Sequence, residues 1–248
     1  VRYLILSDMH GNWDAFETVL RNVQKSHFDV ILVLGDLVGY GAAPDQVVEA
    51  VRDLPGESRV IRGNHDKVVA GIDDGSNFNF AALSAARWTA DNMTVENLEY
   101  VRQLPQGPVE VAPGVAICHG SPLDEDVYVF SNYDALEVFQ GFDAWLTFFG
   151  HTHIPSLFTR DPEGNIEVGV LRGRTGTIKL DPKVRYLINP GSIGQPRDRD
   201  PRAGYLTYDS EEQVVNWHRI PYPVEKAQER IRAADLPQVL SDRLAAGV

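Results

Sequence analysis

The chain has 248 residues, 43% hydrophobic and 23% charged, the composition of a globular protein large enough to fold without disulfides. A single cysteine, Cys118, rules out an intramolecular disulfide, and the apolar run at 3–6 is too brief for a signal peptide, so a cytoplasmic setting is expected. A net charge of −12 argues against affinity for polymeric nucleic acid, and no apolar run approaches the roughly 20 residues of a membrane span.

Residues 2–7 (RYLILS) read as a buried strand, and residues 13–26 as an amphipathic helix in which Ala15, Phe16, Val19, Leu20 and Val23 follow the helical period. Residues 29–34 (DVILVL) make a second strand, ending in Gly35-Asp36. Pro44 opens a helix carrying Val47, Val48 and Val51. A third strand at 58–62 runs into Gly63-Asn64-His65-Asp66. This βαβαβ order predicts parallel strands covered by helices. A helical stretch follows at 79–104, broken near Thr94-Val95, and then two strands around Pro113-Gly114, the second leading into His119-Gly120. Residues 123–131 read as irregular, 132–140 as a helix, and 144–149 as a strand running into Gly150-His151-Thr152-His153. From 155 to 220, short strands between Gly, Pro, Asp and Asn have meander character and predict a second sheet region. Two short helices at 223–246, split at Leu236-Pro237, are expected to pack on the core or to mediate a homo-oligomer. The chain reads as one domain, 1–248, with a core at 1–220 and a helical tail at 221–248.

Asp8, His10, Asp36, Asn64, His119, His151 and His153 share one position type, just beyond a strand-like run. Ligand sites of open α/β sheets lie outside the carboxyl ends of the strands, so these side chains can converge. Their oxygen and imidazole donors suit first-row divalent metals. The Asp8-x-His10 and His151-x-His153 spacings would put each pair on one side of extended backbone. Five of the seven histidines lie at such ends; His27 and His218 do not, and read as surface or structural. Singly, each piece has another reading: Asp66 as a helix N-cap, His119 as a core histidine. Their joint occurrence points to a metal site. Bound cations would also supply the local positive field that an acidic protein needs to hold a phosphorylated substrate.

The order DMHGN, GDLVGYG, GNHD, CHGS and GHTH resembles the calcineurin-like metallophosphoesterases. The core of the match spans 8–153, and the likeness continues to about 209. The Tyr40-Gly41 loop, residues 78–89 (FNFAALSAARWT) and residues 189–205 (NPGSIGQPRDRDPRAGY) are similar to the compact bacterial and archaeal branch, which includes small phosphodiesterases. The resemblance implies an α/β fold, a two-sheet β-sandwich of mixed sheets flanked by helices. It implies one metal on Asp8, His10 and His153, a second on Asn64, His119 and His151, and Asp36 bridging them. His65 would stand at the leaving-group oxygen as general acid, oriented by Asp66.

The chemistry expected is hydrolysis of phosphate esters, phosphodiesters first. The alternatives are phosphomonoesters or dinucleoside polyphosphates at the same site, or a non-catalytic protein-binding module, which the intact ligand set disfavours. Two metals roughly 3.5–4 Å apart would share a water ionised near neutral pH, and this hydroxide would attack phosphorus. Imidazolium, with an unperturbed pKa of about 6.5, suits the donor role of His65. Manganese, iron, zinc, cobalt and nickel all fit the mixed donors. Asn12, Tyr40 and Arg197 are candidate substrate contacts, with Arg62, Arg172 and Arg174 also considered. The expected partner is a small phosphorylated molecule, nucleotides included. Cys118, as a strand residue, reads as buried packing rather than a nucleophile.

Overall fold

The computed structural model describes residues 1–248. Strands β1 (Arg2–Leu6), β2 (Val30–Val33) and β3 (Glu57–Val60) pair in parallel through α1 (Trp13–Val23) and α2 (Pro44–Arg52), as the βαβαβ pattern predicts. Three helices follow: α3 (Asn64–Val69), α4 (Phe80–Asn92) and α5 (Val95–Arg102). Next come β4 (Val109–Ala112), β5 (Val115–Ile117), α6 (Asn132–Gly141) and β6 (Leu146–Phe148). The last strands are β7 (Ser156–Arg160), β8 (Ile166–Val170), β9 (Thr175–Lys179), β10 (Arg185–Asn189), β11 (Ala203–Asp209) and β12 (Val214–Ile220), before α7 (Val224–Ala233) and α8 (Gln238–Ala246). They form two mixed six-stranded sheets, ordered β3-β2-β1-β11-β12-β9 and β4-β5-β6-β10-β7-β8.

Side-chain alternation stacks these sheets. Leu4, Leu6, Ile31 and Val33 face the helices, while Tyr3, Ile5, Leu32 and Leu34 face the second sheet. Burial on both faces is why these strands read as continuous apolar runs. Phe16 on α1 is fully buried in the helix-facing core, and its truncation to Ala would cost about 3–5 kcal/mol. On the other side, α6 covers the second sheet with Ala135, Val138 and Phe139, which pack against Cys118, Phe149 and Leu187. Buried Cys118 is thus packing, as expected, and burial pushes its thiol pKa up, away from reactivity.

Two expectations are corrected. The strands of 155–220 are not one meander: β7, β8 and β10 join the second sheet, while β9, β11 and β12 extend the first. Local alternation sets which face of a strand is buried but not which sheet edge it meets. The Gly63-Asn64-His65-Asp66 stretch is the first turn of a short helix, α3, with Gly63 rather than Asp66 as N-cap. The break between α4 and α5 lies where expected. There Thr94 caps α5 by accepting from Asn97 N, and its own N and Oγ1 donate to Asp45.

The C-terminal helices pack on the core. Ala227, Ile231, Leu240 and Leu244 enter the same cluster as α1, and Arg230 Nε donates to Asp14 at 2.8 Å. That contact seats the tail behind the loop of residues 8–12. No helix is long and apolar enough to cross a membrane.

Candidate metal centre

The parallel strands β1, β2 and β3 of one sheet and β5, β6 and β10 of the other deliver their carboxyl ends to one place. Asp8 and His10 follow β1, Asp36 follows β2, Asn64 follows β3, His119 follows β5, and His151 and His153 follow β6. All seven come together there. Donor atoms of Asp8, His10, Asp36 and His153 form one cluster, those of Asp36, His119 and His151 a second, each within 4.8 Å, with Asp36 common to both. The oxygen Oδ1 of Asn64 joins the second cluster, 3.2 Å from His119 Nε2.

The backbone at these residues is not extended, as the pair spacing had suggested. Asp8, His10, Asp36, His151 and His153 all have left-handed backbone, with φ between +50° and +66°. Asp and His enter this region more readily than most residues, yet it remains sparsely populated and costs of order 1–3 kcal/mol where it is strained. Left-handed kinks turn both members of each pair into the cluster instead of along a strand. Close approach fixes them further: a Cβ on Gly63 would lie 2.1 Å from Asp36 Oδ1, and one on Gly150 2.8 Å from Asp8 Oδ2.

Hydrogen bonds then fix which atoms face the centre. His10 Nδ1 lies 3.2 Å from Val38 O, His119 Nδ1 2.8 Å from Leu34 O, and His153 Nδ1 2.6 Å from Gln195 O. A carbonyl requires a donor opposite it, so each Nδ1 carries hydrogen and each Nε2 is directed inward. His151 is reversed: its Nε2 lies 3.2 Å from Asp126 O, which leaves Nδ1 for the cluster. Asp36 Oδ1 accepts from His65 N at 2.9 Å, while Oδ2 is buried with no hydrogen-bond partner. That orphaned oxygen stands 3.4 Å from both His10 Nε2 and His119 Nε2.

His10 Nε2 and His153 Nε2 are 3.0 Å apart, and His153 Nε2 is 3.2 Å from Asp8 Oδ1. Lone pairs of imidazoles and carboxylates repel at such distances unless a cation lies among them. Donors bound at about 2.1 Å stand roughly 3.0–3.4 Å apart for right-angle to tetrahedral arrangements, so the residues fit metal ions.

The electrostatics agree. Burial holds His10 well below the ordinary histidine range and brings His151 down to about 3; burial, then Arg197, lowers His153. These three imidazoles are neutral near pH 7, the form that can ligate a metal. For His119, burial opposes the charge, but Asp36 and then Asp8 overcome it and push it up to about 10. Burial likewise works against a charged Asp36, which His119, His65 and His10 nonetheless keep well below the carboxylate range.

Other expected site residues separate. His65 is buried against Tyr40 and Phe78, with ring centroids at 4.3 and 4.4 Å, and its ring meets His10 edge-on at 4.8 Å. Burial lowers it to about 4, and its Nδ1 has no partner. Asp66 does not orient it. Its carboxylate accepts from Leu37 N, Val38 N and Gly63 N, clamping the loop that carries Asp36. Asn12 is likewise tied into the fold: its Oδ1 caps α1 at Ala15 N, and both hydrogens of its Nδ2 are engaged, by Gly194 O and Tyr222 OH.

Tyr40 and Arg197 do border the cluster, joined by a 3.1 Å hydrogen bond. Arg62 is held by Glu125 at 2.8 Å, and Arg172 and Arg174 are exposed on the loop before β9. A cavity of about 280 Å³ opens beside Asn64 and His151, lined also by Lys67, Phe78, Asp126 and Tyr128. Sequence reasoning missed the group around His151: the Tyr128 ring stacks on it at 3.8 Å, and Lys67 Nζ binds Asp126 at 2.6 Å, whose carbonyl faces His151. It also missed Ser192, whose hydroxyl donates to Asp8 O, and Arg243 on α8, whose guanidinium stands 5.9 Å over Tyr40. The dense Gly-Pro-Ser stretch after β10 was a signal for Ser192; nothing in the local pattern marked Tyr128 or Arg243.

Comparison with known proteins is consistent with this geometry. Residues 1–155 match the family model described as calcineurin-like phosphoesterase. An uncharacterized protein of Methanocaldococcus jannaschii is 38% identical over 98% of this chain and 97% of its own length. A crystal structure of a metallophosphoesterase from Sphaerobacter thermophilus is 37% identical and superposes with a TM-score of 0.86 over 100% of this chain and 99% of that one. A symmetrical bis(5'-nucleosyl)-tetraphosphatase of Psychromonas ingrahamii is 32% identical over 29% of this chain and 26% of its own length.

Proposed function

Since the chain belongs to the calcineurin-like phosphoesterase family, we propose that it hydrolyses phosphate esters, phosphodiesters by preference, over two divalent ions. Asp8, His10 and His153 would hold one ion, Asn64, His119 and His151 the other, and Asp36 both. Ions bound there would ionise a water near neutral pH and neutralise the charge that develops on the phosphate. The observation that carries this reading is Asp36 Oδ2, buried without a partner and equidistant, at 3.4 Å, from the inward nitrogens of two histidines belonging to opposite clusters.

The chain's own residues do the rest. Two carboxylates and four imidazoles preset the site, so little reorganisation remains when charge develops. Phosphate would enter by the cavity at Asn64 and His151, with Arg197 and the Tyr40 hydroxyl on its far side. His65 would donate to the leaving oxygen. Burial favours its neutral form in the empty site, so the acid role requires the negative charge of a bound phosphate to restore its proton. The kinship with a bis(5'-nucleosyl)-tetraphosphatase favours a dinucleoside polyphosphate as second substrate candidate, although it covers only 29% of this chain. Hydrolysis of bis(4-nitrophenyl) phosphate by protein reconstituted with manganese, compared with the metal-stripped protein, tests the proposal. Metal-dependent release of nitrophenol is expected; no turnover with any of manganese, iron, zinc, cobalt or nickel would overturn it.

A further inference from the structure

Four strands end the two sheets: β3 and β9 in the first, β4 and β8 in the second. An edge strand offers unpaired N–H and C=O groups to other chains, and natural proteins blunt it with charges or bulges. Three of the four edges are blunted. β3 carries the Glu57–Arg59 ion pair, β4 shifts register between Glu110 and Ala112, and β9 ends in Lys179. β8 differs. It pairs with β7 over all five of its residues without a bulge, and it holds no proline, lysine or arginine. Val168 and Val170 are 42% and 45% exposed on it, beside Ile166, which packs against the α6 cluster. The direction of its free backbone groups follows from the ladder. Asp161 N donates to Asn165 O at 3.1 Å, and Leu171 N to Pro155 O at 2.9 Å, at the two ends of the β7–β8 pairing. Alternation between those ends turns the N–H and C=O of Glu167 and Gly169 toward β7, and those of Ile166, Val168 and Val170 outward.

The two ends of β8 carry opposite charge. Past its carboxyl end lies a cavity of about 510 Å³ lined by Val170, Arg172, Gly173, Arg197 and Arg199. Arg219 also borders it but is neutralised by Asp198 and Asp200. The turn before its amino end is acidic, with Glu163 exposed. We propose that β8 joins this chain to a second copy of itself, the two strands pairing antiparallel about a two-fold axis at Val168. In that register Val168 faces the partner's Val168 and Ile166 the partner's Val170, so every outward N–H and C=O of the strand is paired. Glu167 faces the partner's Gly169. An axis at Glu167 would instead set the two carboxylates opposite each other, which is unfavourable. Antiparallel pairing also carries each Glu163 to the Arg172–Gly173 segment of the other copy, at the arginine-lined cavity. A net charge of −12 on each copy opposes association, and this contact counters it where the copies meet. A foreign strand could use the same edge, but a copy of this chain also brings Glu163 to the arginines in that register. The inference is independent of the chemistry at the metal centre.

Sedimentation velocity over a concentration series tests the interface. Wild type should pass from monomer to dimer, and hydrogen exchange at the amides of Ile166, Val168 and Val170 should slow as the dimer forms. Val168→Lys, which sets two lysines opposite each other across the axis, should be monomeric where wild type is dimeric. Val239→Lys, at a similarly exposed valine of α8, should leave the dimer intact. Glu163→Arg and Arg172→Glu should each weaken dimerisation by about two- to fivefold for each of the two copies of the contact, and the double change should restore it. That rescue separates a lost contact from a lost fold, should Val168→Lys unfold the chain. A wild type that stays monomeric, a dimer whose three amides exchange at the monomer rate, a dimer that Val168→Lys leaves whole, or a double variant no better than either single one would overturn the assignment. A dimer broken by Val239→Lys would move the interface to the tail helices and would overturn it as well.

Discussion

The two halves of the metal centre are built differently. Around Asp8, His10 and His153 every ligand is buried, each backbone is left-handed, and both imidazoles are pinned by carbonyls from neighbouring loops, Val38 O and Gln195 O. Around His119, His151 and Asn64 the enclosure is weaker. Asn64 is half-buried at the start of a six-residue helix, and His151 depends on Asp126 O, in an exposed segment tied down by Lys67, and on Tyr128, itself 40% exposed. The cavity lined by Asn64, Lys67, Phe78, Asp126, Tyr128 and His151 adjoins this second side. The contrast teaches that an ion held by Asp8, His10 and His153 would be part of the folded interior, whereas one held by Asn64, His119 and His151 would sit beside the cavity, in a shell that can give. Asp36, common to both clusters, would couple the two.

The largest test of that coupling is Asp36→Asn. It should lower activity by more than about 100-fold, the upper range for merely outer partners of a metal, and reduce the occupancy of both ions in elemental analysis. Retention of one full ion would break the shared-ligand account. Next in size, His65→Ala should retain both ions and lose about 10²–10⁴-fold in rate, most for esters with poor leaving groups. Equal losses across a leaving-group series would remove His65 as the donor.

Smaller effects should separate the halves. Lys67→Met frees Asp126 and so loosens His151; it should weaken the second ion about 10–100-fold by manganese titration while leaving the first unchanged. Equal weakening of both ions would show that the halves are not independent. Tyr128→Leu, which removes only a stacked ring worth about 0.5–1.5 kcal/mol, should weaken the second ion by no more than about tenfold.

Protons give a further measure. His119, raised to about 10 by Asp36 and Asp8 against the effect of burial, is charged in the metal-free protein at pH 7, whereas His10, His151 and His153 are neutral. Metal must displace the proton on Nε2, so loading at pH 7 should release that proton in addition to any given up by the water the ions ionise, and binding should weaken as pH falls. Titration in buffers of different ionisation enthalpy counts it. For the metal-free protein the sign is opposite. A histidine raised on folding contributes stability that is full below about 6.5 and is lost as pH rises toward 10, so this contribution should favour pH 6 over pH 9.

Much of this centre was legible in the sequence, because strand ends and donor types are local signals. Asp8, Asp36 and His151 each follow a short apolar run, and parallel pairing carries every such end to the same edge. What local pattern does not encode is how the chain turns there. The left-handed kinks at Asp8 and His10 depend on tertiary contacts such as Gly194 N donating to Asp8 O, across a long sequence separation. For the same reason the internal anchoring of Asn12 and Asp66 was not legible. Their polar groups meet Gly194, Tyr222, Leu37 and Val38, partners visible only once the loops are folded together. Tyr128 and Arg243 carry no motif, and the assignment of β9, β11 and β12 to the first sheet is a matter of sheet edges, not alternation.

The central claim is two ions per chain with Asp36 between them, one enclosed and one accessible. Manganese titration of the metal-stripped protein, read by calorimetry, tests it most directly. The account predicts two equivalents bound in two resolved phases, with Lys67→Met shifting only the weaker phase. A single equivalent, or two that shift together in Lys67→Met, would contradict it.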